Sequence, residues 1–352
     1  MPTPAEVDEV DESDDKKEVD LPEARAAKQA VVKDVIDSLA GLTLLATDKE
    51  FEGFSNLLLA LIQSLFGPSH AEFGSLILAL VDAVALSGER IAGPTLPARY
   101  TAISTIFNSL PTPPHATINS ASTLRLAVLI KLVNYAASND DFAVISPALA
   151  QLESWLVQWG FGLGTSGEEE GNAAVSQVVS ALVSKGQAEQ ARTILLAHLA
   201  AGSAVEGQAK TPSASAAKLA SQLISITLSI PSVFDLSSLG SLPAVAAPSV
   251  PALSTLLAIF QSGDVAAFTA FIKAEASVLA EQKLEADQLE HKLRLLALAE
   301  LCSTRVGESV SYSQVAEALK LSAVNDDGEE VETWVIDGKH APKPYSLPTA
   351  QC

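Results

Sequence analysis

The sequence predicts an all-α protein: an irregular solenoid of helical pairs, of the HEAT or tetratricopeptide kind, that ends in a winged helix with an incomplete wing. Three observations predict it. Hydrophobic residues make up 48% of the chain and aromatic ones only 5%, so the apolar content is mostly Ala, Leu and Val. Small side chains let helix axes approach, and Ala and Leu favour helix. Apolar positions recur at helical spacing in one helix-length segment after another. Between the segments stand "FGPS", "SGERIAGPTLP", "LPTPPH", "GTSGEEEGN" and "SKGQ", the punctuation of Gly, Pro and small polar residues that ends helices.

Taken in order, the chain begins with "EVDEVDESDDKKEVD", which helps set nine carboxylates against Lys16 and Lys17 in the first twenty residues. Such a segment has too little apolar surface to bury, so 1–20 is expected to be a disordered acidic tail. Residues 21–204 form a helical-repeat domain, with helices expected at 24–46, 52–66, 69–87, 97–110, 119–137, 144–160, 172–184 and 187–201. Phe73 to Leu86 is the longest nearly apolar run, interrupted by Asp82. It falls short of the roughly 18–20 residues a bilayer span needs, so it is read as a buried helix. "STLRLAVLIKLVNYA" is apolar on two faces and suits an inner layer of stacked pairs. "GQAEQARTILLAHL" resembles the second half of a tetratricopeptide-like pair, although no strict period of about 34 residues runs through the chain.

From 201 to 249 the texture loosens into "AGSAVEGQAKTPSASAA" and "LGSLPAVAAPSVPA", loops or short linkers around one helix at 213–230. After Pro251 come two helices separated by "SGD", with Asp264 placed to cap the second. "ADQLEHKLRLLALAELCST" is a longer helix. In "ESVSYSQVAEALKL" a short strand is expected at Val310, Ser311 and Tyr312, with Ser311 or Ser313 capping a helix that bears Val315, Ala318 and Leu319. "NDDGEEVETWVID" then starts a helix whose acidic first turn complements the helix dipole and whose stripe is Val331, Trp334 and Val335. Helix, short strand and two helices are the first part of a winged helix.

In that order, "LLAIFQSGDVAAFTAFI", "KLRLLALAELC", "VSYSQVAEALKL" and "EVETWVID" resemble the PCI-domain family, the module shared by the proteasome lid, the signalosome and translation initiation factor 3. The likeness is to the initiation factor 3 branch and extends back to about residue 20. It implies a right-handed helical array and a PCI domain at 205–337, with its helical part at 205–284 and an incomplete winged helix at 285–337. It also implies a non-catalytic scaffold in the cytoplasm that acts in translation initiation. Its partners would be other PCI and MPN subunits and, through the complex, the 40S ribosomal subunit and mRNA. Membranes and small-molecule substrates are not implied. Winged helices in the family join edge to edge, which makes Val310, Ser311 and Tyr312 the expected sheet edge and Val331, Trp334 and Val335 the supporting helix. The alternatives are a PCI subunit of the signalosome or proteasome lid, or a winged-helix nucleic-acid-binding module.

The chain departs from the family pattern at Gly338, where the family's helix continues into a two-stranded wing. Residues 338–352, "GKHAPKPYSLPTAQC", are expected to be a disordered non-family tail, since Pro342 and Pro344 cannot continue a helix. A Gly-Lys pair can be encoded GGT AAG, the usual start of an intron, so read-through sequence is the expectation there. Without a wing, 306–352 is expected to be loosely held in the isolated chain.

No catalytic, cofactor-binding or metal-binding residues are expected. "GLGTSG" at Gly162–Gly167 matches the dinucleotide pattern formally but follows a Trp155/Trp159 helix and runs into Glu168, Glu169 and Glu170, which repel phosphate. His70, His115, His198, His291 and His340 show no metal-ligand spacing. Cys302 is expected as a core thiol, and Cys302 and Cys352 together fit a reducing cytosol without a disulfide scaffold. Lys283, Lys292, Arg294, Arg305 and Lys320 alternate with carboxylates and are read as a mixed-sign helix surface. With a net charge of −20 the chain is a poor stand-alone ligand for nucleic acid.

Overall fold

The computed structural model describes residues 22–38, 47–85, 95–202, 212–305, 309–321 and 329–340. The expected acidic tail at 1–20 and all but the first three residues of the expected tail at 338–352 lie outside them. The described residues are all-α, as the sequence predicts, with no strand among them. They divide into two compact units, 1–109 and 110–352.

The first unit holds α1 (Pro22–Asp37), α2 (Asp48–Leu65), α3 (Phe73–Ala85) and α4 (Leu96–Ser109). Thr47 opens α2 through a capping box: its Oγ1 accepts from the Glu50 N–H at 3.3 Å, and Glu50 Oε2 accepts from the Thr47 N–H at 3.1 Å. Phe51, Leu58, Leu59, Ile62 and Leu65 then bury one face of α2. The apolar run read as a buried helix is α3, packed between its neighbours with Ile77, Leu80, Val81 and Val84 wholly enclosed. Few helices here carry a basic residue in their last turn; cations arrive from neighbours instead. Arg25 Nη2 and Gln29 Nε2 of α1 each donate to Leu65 O at 2.8 Å, and buried Arg99 Nη1 of α4 donates to Val84 O at 2.7 Å. These carbonyls have no partner inside their own helix and carry its negative pole.

The second unit runs through α5 (Ser120–Asn139), α6 (Phe142–Ala150), α7 (Leu152–Trp159), α8 (Glu168–Ser184), α9 (Ala188–Ala201) and α10 (Ala214–Ser229). It continues with α11 (Ser237–Gly240), α12 (Pro243–Ala246), α13 (Pro251–Ser262), α14 (Val265–Glu281), α15 (Ala286–Thr304), α16 (Tyr312–Leu319) and α17 (Glu329–His340). Helix α5 is buried on the two faces the sequence gives it: Leu124, Val128, Leu132 and Tyr135 on one, Leu126, Leu129 and Val133 on the other. It packs on α6 and α8, then α8 on α9 and α9 on α10, so the array passes the expected boundary at 204 without a gap in packing. Gly171 makes the closest approach in this array: a Cβ there would lie 2.0 Å from the Phe161 carbonyl oxygen.

Four expectations change in the structure. The helix expected at 144–160 is two, because at Gln151 the backbone tightens to an i→i−3 bond with Ala148 O at 3.1 Å, four residues after Pro147. Part of the expected loop at 231–249 coils into α11 and α12, the latter begun by Pro243, whose fixed φ suits a first helical position. Val310–Tyr312 is no strand: Ser311 is the N-cap and Tyr312 the first residue of α16, and Gln314 Oε1 accepts from the Ser311 N–H at 3.1 Å. The final helix does not stop before Gly338 but reaches His340. Glycine in a helix interior costs only about 1 kcal/mol relative to alanine, so Gly338 does not by itself end the helix.

Candidate functional site

The residues singled out from the sequence gather at the last three helices. Leu289, Leu293, Ala297 and Leu298 form the inner stripe of α15; Val315, Ala316 and Leu319 are the buried face of α16, and both pack with α17. Val331 is enclosed at 2% exposure and anchors α17. Trp334 is half-buried: its ring lies 4.8 Å from that of His291 and 5.4 Å from the Arg294 guanidinium, both on α15. Glu290, one turn before Arg294, pairs with it at 2.6 Å and so orients it over the indole. Val335 faces out at 38% exposure, and so does Ile336 at 55%.

On the neighbouring helix Tyr312 is 48% exposed, and its hydroxyl donates to Glu332 Oε1 at 2.9 Å. That carboxylate, first by the hydrogen bond and then by its charge, pushes the Tyr312 phenol up. Ser311 is exposed and Val310 half-buried just ahead of it. The structure therefore brings Tyr312, the first residue of α16, to the 331–335 turn of α17. Ile336 was missed in the sequence reading; its signal was a second apolar residue directly after Val335, widening the stripe on the solvent side.

Lys292 corrects the reading of the α15 surface. It is 3% exposed, and its Nζ donates to three backbone carbonyls, Thr227 at 2.9 Å, Leu228 at 3.1 Å and Ile230 at 2.7 Å. Burial first, and the charge of Arg192 second, pull its pKa down to about 7. His291 is exposed beside it but lies against Trp334.

Elsewhere the side chains with chemistry are tied up in structure. His198 is wholly buried, with Nδ1 2.6 Å from Glu153 Oε2 and Nε2 2.7 Å from Asn172 Oδ1; Asn172 in turn donates to Ser215 Oγ at 2.9 Å. This polar chain joins α7, α8, α9 and α10. The loop at Gly162–Gly167 is preceded by a helix, and the Gly164 N–H donates to Glu168 Oε2 at 2.9 Å, a carboxylate where a phosphate would have to sit. Trp155 and Trp159 stack at 5.7 Å with Trp159 enclosed. Cys302 is half-buried in the last turn of α15, beside exposed Thr304; it is not the fully enclosed core residue expected. No group of three His, Cys, Asp or Glu side chains among the described residues could hold a metal ion. No helix among them is long and apolar enough to cross a membrane.

The fold and this cluster define an all-helical array protein whose last three helices stand as a small, partly open bundle at its end. No family model matches the chain. Its relatives are proteins named eukaryotic translation initiation factor 3 subunit M. With that of Aspergillus terreus it is 31% identical over 322 residues, 89% of this chain and 64% of the relative. With that of Chaetomium globosum it is 29% identical over 238 residues, 67% of this chain and 51% of the relative. With that of Phaeosphaeria nodorum it is 31% identical over 239 residues, 67% of this chain and 49% of the relative. The chain thus spans less than two thirds of the length of these relatives. The likeness read in the four C-terminal segments is borne out and extends through the array.

Proposed function

We propose that this chain is a non-catalytic scaffold subunit of translation initiation factor 3, acting in the cytoplasm in translation initiation. It joins other PCI and MPN subunits through its PCI domain at 205–337, and the assembled factor binds the 40S ribosomal subunit and mRNA. The observation that carries this reading is the identity of 31% over 322 residues with the subunit of Aspergillus terreus.

The cluster at α15–α17 supplies the contact. Tyr312, Val335 and Ile336 are apolar or amphipathic, exposed, and mounted on helices fixed from behind by Leu319, Val331 and Trp334. Burying a side chain of the Val or Ile kind contributes about 1.5–3 kcal/mol, so a turn of α17 is enough for a specific helix contact when a partner covers it.

Affinity purification of the tagged full-length chain, followed by mass spectrometry, tests the proposal. Initiation factor 3 subunits and small-subunit ribosomal proteins are the expected company. Cullins or proteasome-lid components would move the chain to another PCI complex. Binding of RNA by the pure chain that weakens steeply with salt would make it a nucleic-acid reader.

A further inference from the structure

Helix α10 ends without a basic residue in its last turn. Its final carbonyls need donors from elsewhere, because nothing further along the helix can bond them. Lys292, sixty-two residues beyond Ile230, enters this point from α15 and places one Nζ against three oxygens. An ammonium has three N–H groups, and here each has a carbonyl. Its hydrogen-bond acceptors are all main chain, and the like charge of Arg192 acts on it as well. Lys292 is buried on α15 together with Leu289 and Leu293.

The placement matters because of what α15 carries. Helices α16 and α17 both pack on α15, and α15 meets the array through α14 and at this end of α10. We propose that Lys292 is a latch: its ammonium, set on the buried C-terminal pole of α10, holds the α15–α17 bundle in a fixed pose on the helical array. The pole of α10 and the positive charge attract, and removal of the charge takes the lysine's donors from three buried carbonyls, of which Ile230 O keeps the Val233 N–H at 3.4 Å. The bundle is then free to turn about the α14–α15 connection while the array stays folded. Events that withdraw or neutralise this one amine therefore act on the bundle's pose and leave the array as it is.

Hydrogen exchange on the full chain tests the latch. In Lys292→Met, which keeps the apolar stem, exchange is expected to rise about tenfold or more at Leu293, Leu298, Leu319 and Val331 while Val175, Leu182 and Leu195 in α8 and α9 change by less than about twofold. Unchanged exchange in α15 would make the lysine a passenger. An equal rise in α8, α9 and α15 would make it a core residue with no joint function. A second measurement needs no variant: acylation of the wild-type chain by acetic anhydride, read by peptide mass. Lys292 is expected to label about tenfold more slowly than exposed Lys218 and Lys273, since it reacts only when the bundle opens. Labelling at the same rate as those two overturns the latch even if Lys292→Met fails to fold.

Discussion

Helices α8 to α10 and helices α15 to α17 are built from the same residue types, yet they are held together in different ways. In the first group Val175, Val178, Leu182, Leu195, Leu223 and Ile224 are all wholly enclosed, and a buried polar chain from Glu153 through His198 and Asn172 to Ser215 runs between the helices. In the second, Leu319 and Val331 are enclosed, but Tyr312, Val335 and Ile336 beside them are open. The array thus encloses its core, whereas the described residues of the bundle leave these three side chains open. A helix face left uncovered in this way is stable enough to form and apolar enough to seek a partner.

Substitutions that break this contrast rank by how much of the core they touch. The largest effect is expected for Gly171→Ala in the array. Its Cβ would meet the Phe161 carbonyl oxygen at 2.0 Å, and backbone cannot give way as a side-chain tip can. A loss of about 3 kcal/mol is expected in urea unfolding. Val331→Ala removes two methyl groups from the enclosed anchor of α17. A loss of about 1.5 kcal/mol follows, and it should show as faster exchange in α16 and α17 with α8 and α9 unchanged. If both substitutions lower the whole molecule equally, the contrast fails.

Smaller effects sharpen it. Tyr312→Phe removes an exposed hydroxyl bonded to Glu332 at 2.9 Å. It is expected to leave stability almost unchanged, while the ring, kept in place, still serves the proposed contact. In the first unit, Asp48 accepts from the N–H and Oγ1 of Thr95 at 2.9 and 2.8 Å, and these bonds hold its carboxyl below the ordinary 3.8. The unfolded chain therefore takes up this proton first. The stability that the contact supplies is complete above the unfolded value and disappears as pH falls through the lower folded one. An acid titration of exchange at Leu58 should be shallower in Asp48→Asn than in the wild type. Parallel curves would show that the carboxylate contributes nothing there.

How far the sequence could be read follows from the kind of signal. Helix order and the two-faced α5 were legible because period and punctuation agree there, and Asp264 was found as a cap because the residue type suffices; its Oδ1 accepts from the Ala266 and Ala267 N–H groups. The strand expected at Val310–Tyr312 was not found because the capping pattern Ser311-x-x-Gln314 favours a helix start over an extended run. Lys292 was read as solvated on charge alone, although it stands three residues after Leu289 and one before Leu293 on the buried stripe. Its partners are carbonyls more than sixty residues away, and main-chain acceptors leave no trace in residue identity. The His198 chain was hidden for a related reason: its members are spaced across four helices, and only packing brings them together.

In the proposed reading the array is self-sufficient and a partner completes the bundle. Amide exchange, measured on the full chain alone and again within the purified complex, tests that most directly. Leu182 and Leu223 should exchange slowly in both, and Val335 should exchange quickly in the free chain and about tenfold or more slowly once assembled. Protection at Val335 in the free chain equal to that at Leu182, or no change there on assembly, would contradict it.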